Sequence, residues 1–274
     1  MISLSERQKK YEAVYDSEIT RRIPIIIRCD GVSFTRLTKR IEKPYSQVFS
    51  NIMAQTMLSV AKVMDGCVFA YQQSDEITFI LRNDRELETQ PWYDNRIQKI
   101  ASVSAALVTK EFDKALALSK SKLDLAGDAM FDARVFAVPS LHEAINNLIF
   151  RQKDCLRNAI SSATKVELRK TNDIKTTVTI LNGKNKAQQL EILTSAGIDF
   201  FSHYPLSFQK GIAAAKAPKI LNTEHGQITR HKWTLDNDPP EFQYNKEYVR
   251  GILNLGRDVF RAKRDMGDSW VAKI

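Results

Sequence analysis

The sequence has few cysteines and histidines, and neither residue type forms a recognisable ligand pattern. The three cysteines, Cys29, Cys67 and Cys155, stand in or beside apolar runs, and none forms a Cys-x-x-Cys arrangement. An odd number of scattered cysteines argues against a disulfide framework and indicates buried free thiols in a reducing cytoplasm. The four histidines lack the spacing of a zinc site.

Long apolar runs, repeats and low-complexity tracts are also missing. The N-terminal segment is polar, without the apolar core of a signal peptide, and no stretch is apolar enough to span a membrane. We therefore expect a cytoplasmic globular protein, which the 43% hydrophobic and 27% charged content supports. The net charge of +9 is a moderate basic excess that suits an anionic partner such as RNA, DNA or nucleotides.

Hydrophobic periodicity in the first half of the chain predicts the order β-α-β-β-α-β, preceded by one helix. The predicted elements are a helix over 5–20, a strand over 24–29, a helix over 45–64, strands over 67–72 and 77–81, a helix over 94–118 and a strand over 130–138. This order is the split βαβ (ferredoxin-like) arrangement of the α+β class. It implies an antiparallel sheet with the helices on one face and with the first and third strands paired in the middle.

The second half is predicted to be a helical extension. Its expected elements are helices over 141–166 and 186–196, a loop-rich stretch over 198–240 with a short hairpin over 218–235, and a basic helical tail over 246–274. We expect a catalytic domain over residues 1–139. Residues 140–274 would then complete the active site and contact an RNA partner or neighbouring subunits.

Two acidic stretches follow strands that the predicted topology brings to one edge of the sheet. Asp30-Gly31 ends the first strand, and Ser74-Asp75-Glu76 connects the second strand to the third. Either stretch alone could be ordinary turn chemistry. Together they place like charges side by side, which raises the pKa of each carboxyl unless a cation lies between them. Two carboxylates and the Gly31 carbonyl are suitable ligands for Mg²⁺ in phosphoryl transfer.

Basic residues supply further candidates, each with a simpler alternative. Lys43 precedes the helix over 45–64, where it could bind a triphosphate near the helix N-terminus or be a solvated loop lysine. The candidate phosphate or RNA-backbone contacts are Arg151, Lys153, Arg157, Lys184, Lys186, Lys210 and Arg230. The alternative is ordinary surface charge, and Arg151 could simply pair with Asp154. Gln152 and Asn158 could be surface amides or could orient a substrate.

Several of these residues form ordered motifs that resemble one known family, the tRNA-His guanylyltransferases. The motifs are Arg28-Cys29-Asp30-Gly31-Val32-Ser33-Phe34, Glu42-Lys43-Pro44, Gln73-Ser74-Asp75-Glu76, Phe131-Asp132-Ala133-Arg134 and Arg151-Gln152-x-Asp154. The resemblance runs from about residue 5 to about residue 245. Gln-Ser-Asp-Glu and Asp-Gly are its most specific parts.

The resemblance implies a polymerase-like palm that adds nucleotides in the 3′-to-5′ direction to the 5′ end of a tRNA. ATP or GTP first activates the tRNA 5′-monophosphate with release of pyrophosphate, and the 3′-hydroxyl of the incoming nucleotide then attacks that phosphate. A tRNA that already carries a 5′-triphosphate skips the activation. The resemblance also implies a cytoplasmic homo-tetramer that contacts the tRNA acceptor stem.

The resemblance carries residue roles as well. Asp30, the Gly31 carbonyl and Asp75 would bind two Mg²⁺ per active site, and Glu76 would assist catalysis. The implied nucleotide-binding residues are Arg28, Gly31, Val32, Ser33, Phe34, Lys43, Ser74 and Asp75. The implied contacts to tRNA or its phosphates are Arg134, Arg151, Gln152, Asp154, Arg157, Asn158, Lys184 and Lys210.

Three positions depart from the pattern of the eukaryotic enzymes that act on tRNA-His. Val32 replaces an arginine, and Thr35 and Leu156 replace histidines. The motif from Arg151 to Ser161 resembles instead the bacterial and archaeal branch, the Thg1-like proteins, which is associated with template-dependent repair of 5′-truncated tRNAs. The sequence therefore leaves open which tRNA is the substrate and how efficient the activation step is.

Two other functions fit parts of the sequence. A nucleotide cyclase shares the palm topology, but the chain lacks the Gly-Gly-Asp/Glu-Glu-Phe signature. A non-catalytic RNA-binding module shares the split βαβ topology, but such modules expose aromatic side chains on their central strands. Here the first strand is aliphatic, and the carboxylates at its end would repel RNA phosphates in the absence of a metal.

Overall fold

The computed structural model describes residues 2–84, 88–223 and 226–255. Its helices are α1 Leu4–Ala13, α2 Phe34–Leu37, α3 Gln47–Val63, a 3₁₀ helix at Trp92–Asn95, α4 Ile97–Leu118, α5 Leu141–Leu168, α6 Ile174–Leu181, α7 Lys186–Ser195, α8 Phe200–His203, α9 Leu206–Lys210 and α10 Lys246–Leu255. Its strands are β1 Ile25–Gly31, β2 Cys67–Gln73, β3 Glu76–Leu81, β4 Phe131–Ala137, β5 Ile212–Thr223 and β6 Gly226–Asp236.

These strands form one antiparallel sheet with the order β4-β1-β3-β2-β5-β6. The first and third strands pair in the middle of the first four, with Ile25 opposite Leu81 and Cys29 opposite Ile77. The run Ile25-Ile26-Ile27 is buried on both sides, as a continuous apolar strand with both faces covered should be. The prediction of a mixed helix and sheet protein with an antiparallel sheet is confirmed.

One face of the sheet is covered by α3 and α4. Ile27 of β1 and Phe79 of β3 pack there against Met53 of α3 and Phe112 of α4. Helix α3 begins where the Ser46 hydroxyl accepts a hydrogen bond from the Phe49 amide. The two long helices of the first half therefore lie on the same side of the sheet.

The other face is covered by α5 and α10. Ile26 of β1 and Phe69 of β2 belong to a second core cluster with Leu148 of α5 and Leu253 of α10. The expectation of helices on one face thus fits the two long helices of the first half, while the second half covers the opposite face. The second half does not extend away from the sheet, because its amphipathic helices bury the apolar side chains that the first half leaves uncovered.

The second half also contributes two strands to the same sheet. Strand β5 pairs with β2, with Gln72 opposite Ile212 and Phe69 opposite Ala215, and β6 pairs with β5 along its length. The hairpin predicted over 218–235 is confirmed but is longer, and the prediction that 198–240 is loop-rich is wrong. In the sequence, Pro218 indicates that a strand is interrupted, because proline has no backbone N–H to donate. In the structure, the pairing of β5 with β2 ends at Ala215, so Pro218 does not need to donate a hydrogen bond to β2. The proposed division near residue 139 stays a prediction.

Several element ends differ from the sequence-based prediction. Helix α1 ends at Ala13 and buries no side chain, although a helix was expected over 5–20. Helices α2, α6, α8 and α9 lie in stretches for which no helix was predicted. The helical tail is confirmed for α10, and residues 256–274 lie outside the described residues.

The cysteines and the apolar content of the helices can both be compared with the sequence analysis. Cys29, Cys67 and Cys155 are buried free thiols, as predicted. Among the described residues, no helix is both long and apolar enough to cross a membrane.

Candidate active site

The connection between β2 and β3 is a two-residue turn made of Ser74 and Asp75. Gln73 is paired with Glu76 across the turn, and Ser74 has a φ of 48°. A positive φ is uncommon for a residue other than glycine. The side-chain amide of Gln72 donates a hydrogen bond to the Ser74 carbonyl at 2.8 Å, which holds this conformation. Asp75 is thereby fixed at the end of the hairpin.

Asp30 lies near Asp75 because β1 and β3 are neighbours. The prediction placed Asp30 just after the strand, but β1 continues through Gly31, with Asp30 opposite Asp132 on β4. Asp30 and Asp75 line one pocket of about 360 Å³. Burial raises the pKa of the Asp75 carboxyl, and the negative charge of Asp30 raises it further, while hydrogen bonds at the turn and Lys43 lower it. The two carboxylates are thus close enough to repel each other.

The segment between α2 and α3 forms a second wall of this pocket, and Lys43 lies on it. Its ammonium group donates a hydrogen bond to the Thr38 hydroxyl at 3.1 Å. Partial withdrawal from water lowers the pKa of Lys43, and the Asp75 charge opposes that effect. A cation therefore stands beside the carboxylates at the start of α3, where the sequence places a triphosphate contact.

Glu76 lines the same pocket as Asp75, but its contacts are different. Its carboxylate lies 2.9 Å from Nε of Arg151 and 3.7 Å from Nε of Arg28, and it accepts a hydrogen bond from the Gln73 amide at 3.0 Å. Burial raises the pKa of Glu76, while Arg151, Gln73 and Arg28 oppose the shift. Within the described ranges, no group of three or more His, Cys, Asp or Glu side chains could hold a metal ion. The contacts of Glu76 are thus with two cations and an amide, and its role in catalysis stays a prediction.

The arginine that holds Glu76 also connects it to α5. Arg151 is 6% exposed and contacts Asp154 one turn further along the helix. Asp154 also contacts Arg157, and it accepts a hydrogen bond from Asn158 at 3.4 Å. The expectation that Arg151 could pair with Asp154 is confirmed. Glu76, Arg151 and Asp154 form a continuous line of ion pairs, named here the Glu76 network, between the catalytic hairpin and α5.

Gln152, the neighbour of Arg151, holds chain segments together. Its side-chain amide donates to the carbonyls of Pro240 at 3.1 Å and Lys210 at 3.3 Å, and its oxygen accepts from the Phe242 amide at 2.7 Å. The side chain is also buried. Its amide nitrogen and its oxygen both have partners within the protein. The RNA contact suggested for Gln152 has no support in this geometry. Lys210 itself pairs with Asp238 at 3.3 Å.

The motif after Asp30 has a structural role as well as a position near the site. The Phe34 ring is buried in the core against Phe112 and Phe131. A Cβ at position 31 would collide with that ring, so only glycine fits there. The backbone amide of Val32 donates to the Met130 carbonyl. Any nucleotide contact by Phe34 is limited to its backbone, because the ring is packed in the core.

The remaining candidates lie away from the pocket. Arg134 is exposed on β4, and Lys184 is half-buried in the turn between α6 and α7. The other basic candidates are exposed: Lys153, Arg157, Lys186 and Arg230. Of the departures from the family pattern, Thr35 is exposed and Leu156 packs against a third core cluster that contains Phe200. A histidine at position 156 would have to enter that cluster.

Several pocket residues have no signal in the sequence. The lining includes Gln72, Ser50, Ser162, Ser207 and Phe208. Ser162 and Ser207 come from α5 and α9, and no motif marks them. Gln72 alone could have been found, because it directly precedes Gln73-Ser74-Asp75-Glu76 in the strand that leads to the turn.

Comparison with known proteins shows that this chain is similar to members of one family. The family model described as "Thg1: tRNAHis guanylyltransferase" matches residues 5–139. A solved structure of a bacterial tRNA(His) guanylyltransferase (Thg1)-like protein in complex with ATP is similar, with a TM-score of 0.77 and 29% identity over 92% of this chain and 100% of that chain. A corresponding complex with GTP gives a TM-score of 0.74 and 27% identity over 92% of this chain and 99% of that one.

Curated relatives give the same result. An uncharacterised protein of Acanthamoeba polyphaga mimivirus is 31% identical over 179 residues, which are 58% of this chain and 61% of the relative. The tRNA(His) guanylyltransferase 2 of Arabidopsis thaliana is 28% identical over 228 residues, 78% of this chain and 40% of the relative. The chain thus spans less than two thirds of the length of these two relatives.

Proposed function

Because this chain is a Thg1-like protein, related to the tRNA(His) guanylyltransferases, we propose that it adds nucleotides to the 5′ end of tRNA in the 3′-to-5′ direction. The observation that carries the proposal is the pair Asp30 and Asp75, which open into one pocket beside Lys43. The names of the relatives and the ATP and GTP complexes of the similar structures support it.

We propose Mg²⁺ as the metal of this pocket, and the donor set fits it. Asp30 and Asp75 offer two hard oxygen ligands, and the Gly31 carbonyl is a third. Mg²⁺ in phosphoryl-transfer sites is commonly held by one or two carboxylates together with substrate phosphates. The raised pKa of Asp75, due to burial and in part to Asp30, shows a carboxylate pair that a cation would relieve. When bound, two such ions would stabilise the attacking and leaving oxygens of an in-line displacement.

The chain's own residues position the reactants in this proposal. Lys43 offers its ammonium group to a triphosphate, and the first amides of α3 lie at the same wall of the pocket. In the activation step the tRNA 5′-phosphate oxygen attacks the α-phosphorus of ATP or GTP and displaces pyrophosphate. In the transfer step the 3′-hydroxyl oxygen of the incoming nucleotide attacks the tRNA 5′ phosphorus. The activating nucleoside monophosphate leaves, or pyrophosphate leaves from a 5′-triphosphate.

The finer features of this function belong to the same proposal. We infer a palm-like catalytic part over residues 1–139, with residues 140–274 completing the pocket through Asp154 and Phe208. The partner is the tRNA acceptor stem, contacted by exposed cations such as Arg134 and Arg157. We also infer a homo-tetramer in the cytoplasm, and the three buried free thiols support a reducing compartment.

The test is 5′ extension of a defined RNA. A tRNA that lacks its first nucleotide is incubated with all four NTPs and Mg²⁺, with either a 5′-monophosphate or a 5′-triphosphate. We expect added nucleotides that pair with the 3′ side of the acceptor stem, and no addition by the Asp75→Asn variant. If neither RNA gains nucleotides while the wild-type protein is folded and binds GTP, the proposal is wrong. Extension of the triphosphorylated RNA alone would confirm transfer and locate a defect in activation.

A further inference from the structure

Edge strand β4 exposes alternate side chains on the sheet face that carries Asp30. Asp132, Arg134 and Phe136 are exposed, and the residues between them face the opposite side of the sheet. The strand register places Asp132 opposite Asp30, Arg134 opposite Arg28, and Phe136 opposite Ile26. Arg28, Arg134 and Phe136 are named here the β4 strip. The strip begins one pleat from Asp30 and runs away from the pocket.

The two arginines of the strip form a cross-strand pair of like charge. Directly opposite residues on one face have Cβ atoms about 5 Å apart, and like charges in such pairs are destabilising. Within the described residues, Arg134 makes no ion pair, and Nε of Arg28 has no hydrogen-bond partner. Glu76 is 3.7 Å from Arg28, but it also neutralises Arg151. The strip therefore has a local excess of positive charge that an anion would relieve.

An exposed aromatic ring follows the arginines on the same strand. Phe136 is 37% exposed and lies two residues beyond Arg134. At about 3.4 Å per residue, the Asp30 row, the Arg28–Arg134 row and the Phe136 row are spaced by about 7 Å each. Such an order of carboxylate, arginine pair and aromatic ring suits an extended nucleic-acid strand, because phosphates bind arginine and bases or riboses pack on rings. Asp132 confines the negative charge of β4 to the end beside Asp30.

We propose that the β4 strip binds the RNA strand that leads away from the reacting 5′ end. Arg28 and Arg134 hold the internucleotide phosphate nearest to the 5′ end, and Phe136 packs against the nucleotide that follows it. The inference rests on the proposed function, and it adds a path for the RNA substrate outside the pocket. The strip directs the terminal phosphate toward Asp30 and Asp75.

The first experiment measures equilibrium binding of the full chain to a 5′-truncated tRNA over a range of salt concentrations. Arg134→Gln should lower the slope of log affinity against log salt by about 0.7–0.9, because one phosphate contact is lost. Phe136→Ala should weaken binding at least about fivefold with an unchanged slope, because a stacking contact is lost. The matched control is Lys110→Gln, which removes an exposed cation on α4, across the sheet, and should leave both quantities unchanged.

The second experiment identifies the phosphate. Substrates carry a neutral methylphosphonate at one of the first three internucleotide linkages of the 5′ strand. Neutralising the first linkage should weaken binding by the wild-type protein and by Lys110→Gln. The same change should have no further effect on Arg134→Gln, because the arginine that reads that charge is already absent. Loss of affinity for GTP in Arg134→Gln would assign the residue to the nucleotide pocket and overturn the inference.

The remaining outcomes separate the inference from the proposed function. If the wild-type protein extends tRNA but Arg134→Gln binds tRNA with an unchanged salt slope, the proposed RNA path along the β4 strip is wrong and the proposed function is unaffected. If the wild-type protein neither binds nor extends tRNA, both are wrong. A change of oligomeric mass in Arg134→Gln, measured by light scattering, would make β4 an interface between copies of the chain and would also overturn the inference.

Discussion

Asp75 and Glu76 are adjacent in the chain, but they lie in opposite electrostatic surroundings. Asp75 lines the pocket, where the charge of Asp30 raises its pKa and the cation Lys43, hydrogen-bonded to Thr38, lowers it. Glu76 lines the same pocket, but its carboxylate is held by Arg28 and Arg151. In the proposed function the carboxylates of Asp30 and Asp75 are available to a metal, while the carboxylate of Glu76 is paired with arginines. We therefore propose that Asp75 takes part in the chemistry and that Glu76 holds the hairpin on α5.

The largest expected effect is the loss of activity when the pocket loses a carboxylate. Asp75→Asn should reduce 5′ extension of a triphosphorylated tRNA by about 100- to 1,000-fold, the range found when one preorganised electrostatic group is removed. Stability should stay equal or increase, because the substitution removes a partly buried charge that Asp30 repels. Extension rates and urea unfolding measure the two quantities. A destabilised Asp75→Asn protein would contradict the comparison.

The opposite pattern is expected in the Glu76 network. Glu76→Gln should lower the free energy of unfolding by about 3 kcal/mol, because it leaves Arg28 without its carboxylate and leaves Arg151 with Asp154 alone in a mostly buried place. Urea unfolding of Glu76→Gln, Arg151→Met and the double variant gives the coupling energy of the pair. The control is Glu111→Gln, which removes an exposed ion pair with Lys114 and should cost less than about 1 kcal/mol. If Glu76→Gln and Glu111→Gln lowered the free energy of unfolding equally, the stabilising role assigned to Glu76 would be wrong.

A smaller effect is expected at the cation of the pocket. Lys43→Gln should raise KM for the incoming nucleotide about tenfold, equivalent to ~1.4 kcal/mol of binding, and leave stability unchanged. The reason is that, within the described part of the chain, the ammonium group of Lys43 makes a single hydrogen bond, to the Thr38 hydroxyl. Steady-state extension at varied nucleotide concentration measures KM. Lys39→Gln is the control, because Lys39 is exposed on the same segment and does not line the pocket.

The smallest effect is a dependence of stability on pH. Burial raises the pKa of Asp75 above its value in the unfolded chain, so the folded state holds this proton more tightly. The contribution of protonated Asp75 to the free energy of unfolding is fully present below the pKa of Asp75 in the unfolded chain. This contribution is lost as the pH rises through the pKa of Asp75 in the folded protein. In the absence of divalent ions, Asp75→Asn should therefore gain stability relative to wild type as the pH rises from about 3.5 toward neutral. Urea unfolding across that range tests this, and a gap that narrows with pH would refute it.

Much of the catalytic hairpin could be predicted from the sequence, because its signals are local. An apolar strand, a carboxylate and a second strand after a two-residue turn define the hairpin, and strand order alone brings Asp30 to Asp75. The residue that matters for Glu76 was also visible, since Arg151 lies in a recognisable motif. The sequence indicates its pairing with Asp154, and its RNA contact stays a prediction. The burial of Arg151 against Glu76 could not be predicted, because it depends on how α5 crosses the sheet.

The rest depends on contacts between distant segments. The start of β5, Ile212 followed by three alanines, shows no alternation because it is buried on both sides, so periodicity could not identify a strand. Ser162 and Ser207 reach the pocket only through the packing of α5 and α9. Phe34 was expected at a nucleotide because of its motif, but the collision of its ring with any side chain at position 31 explains the Gly-x-x-Phe spacing by core packing.

The hydrogen bonds of Gln152 have a consequence for the order in which the protein folds. They join α5 to segments 58, 88 and 90 residues later in the chain. Closing loops of that length costs entropy before the contacts are gained, so they form late. The hairpin from β2 to β3 can therefore form while the wall of the pocket that contains Phe208 is still absent. Pulse-labelled hydrogen exchange should protect the amides of β3 before that of Phe242, and the nascent protein should acquire a nucleotide pocket only at the last stage of folding.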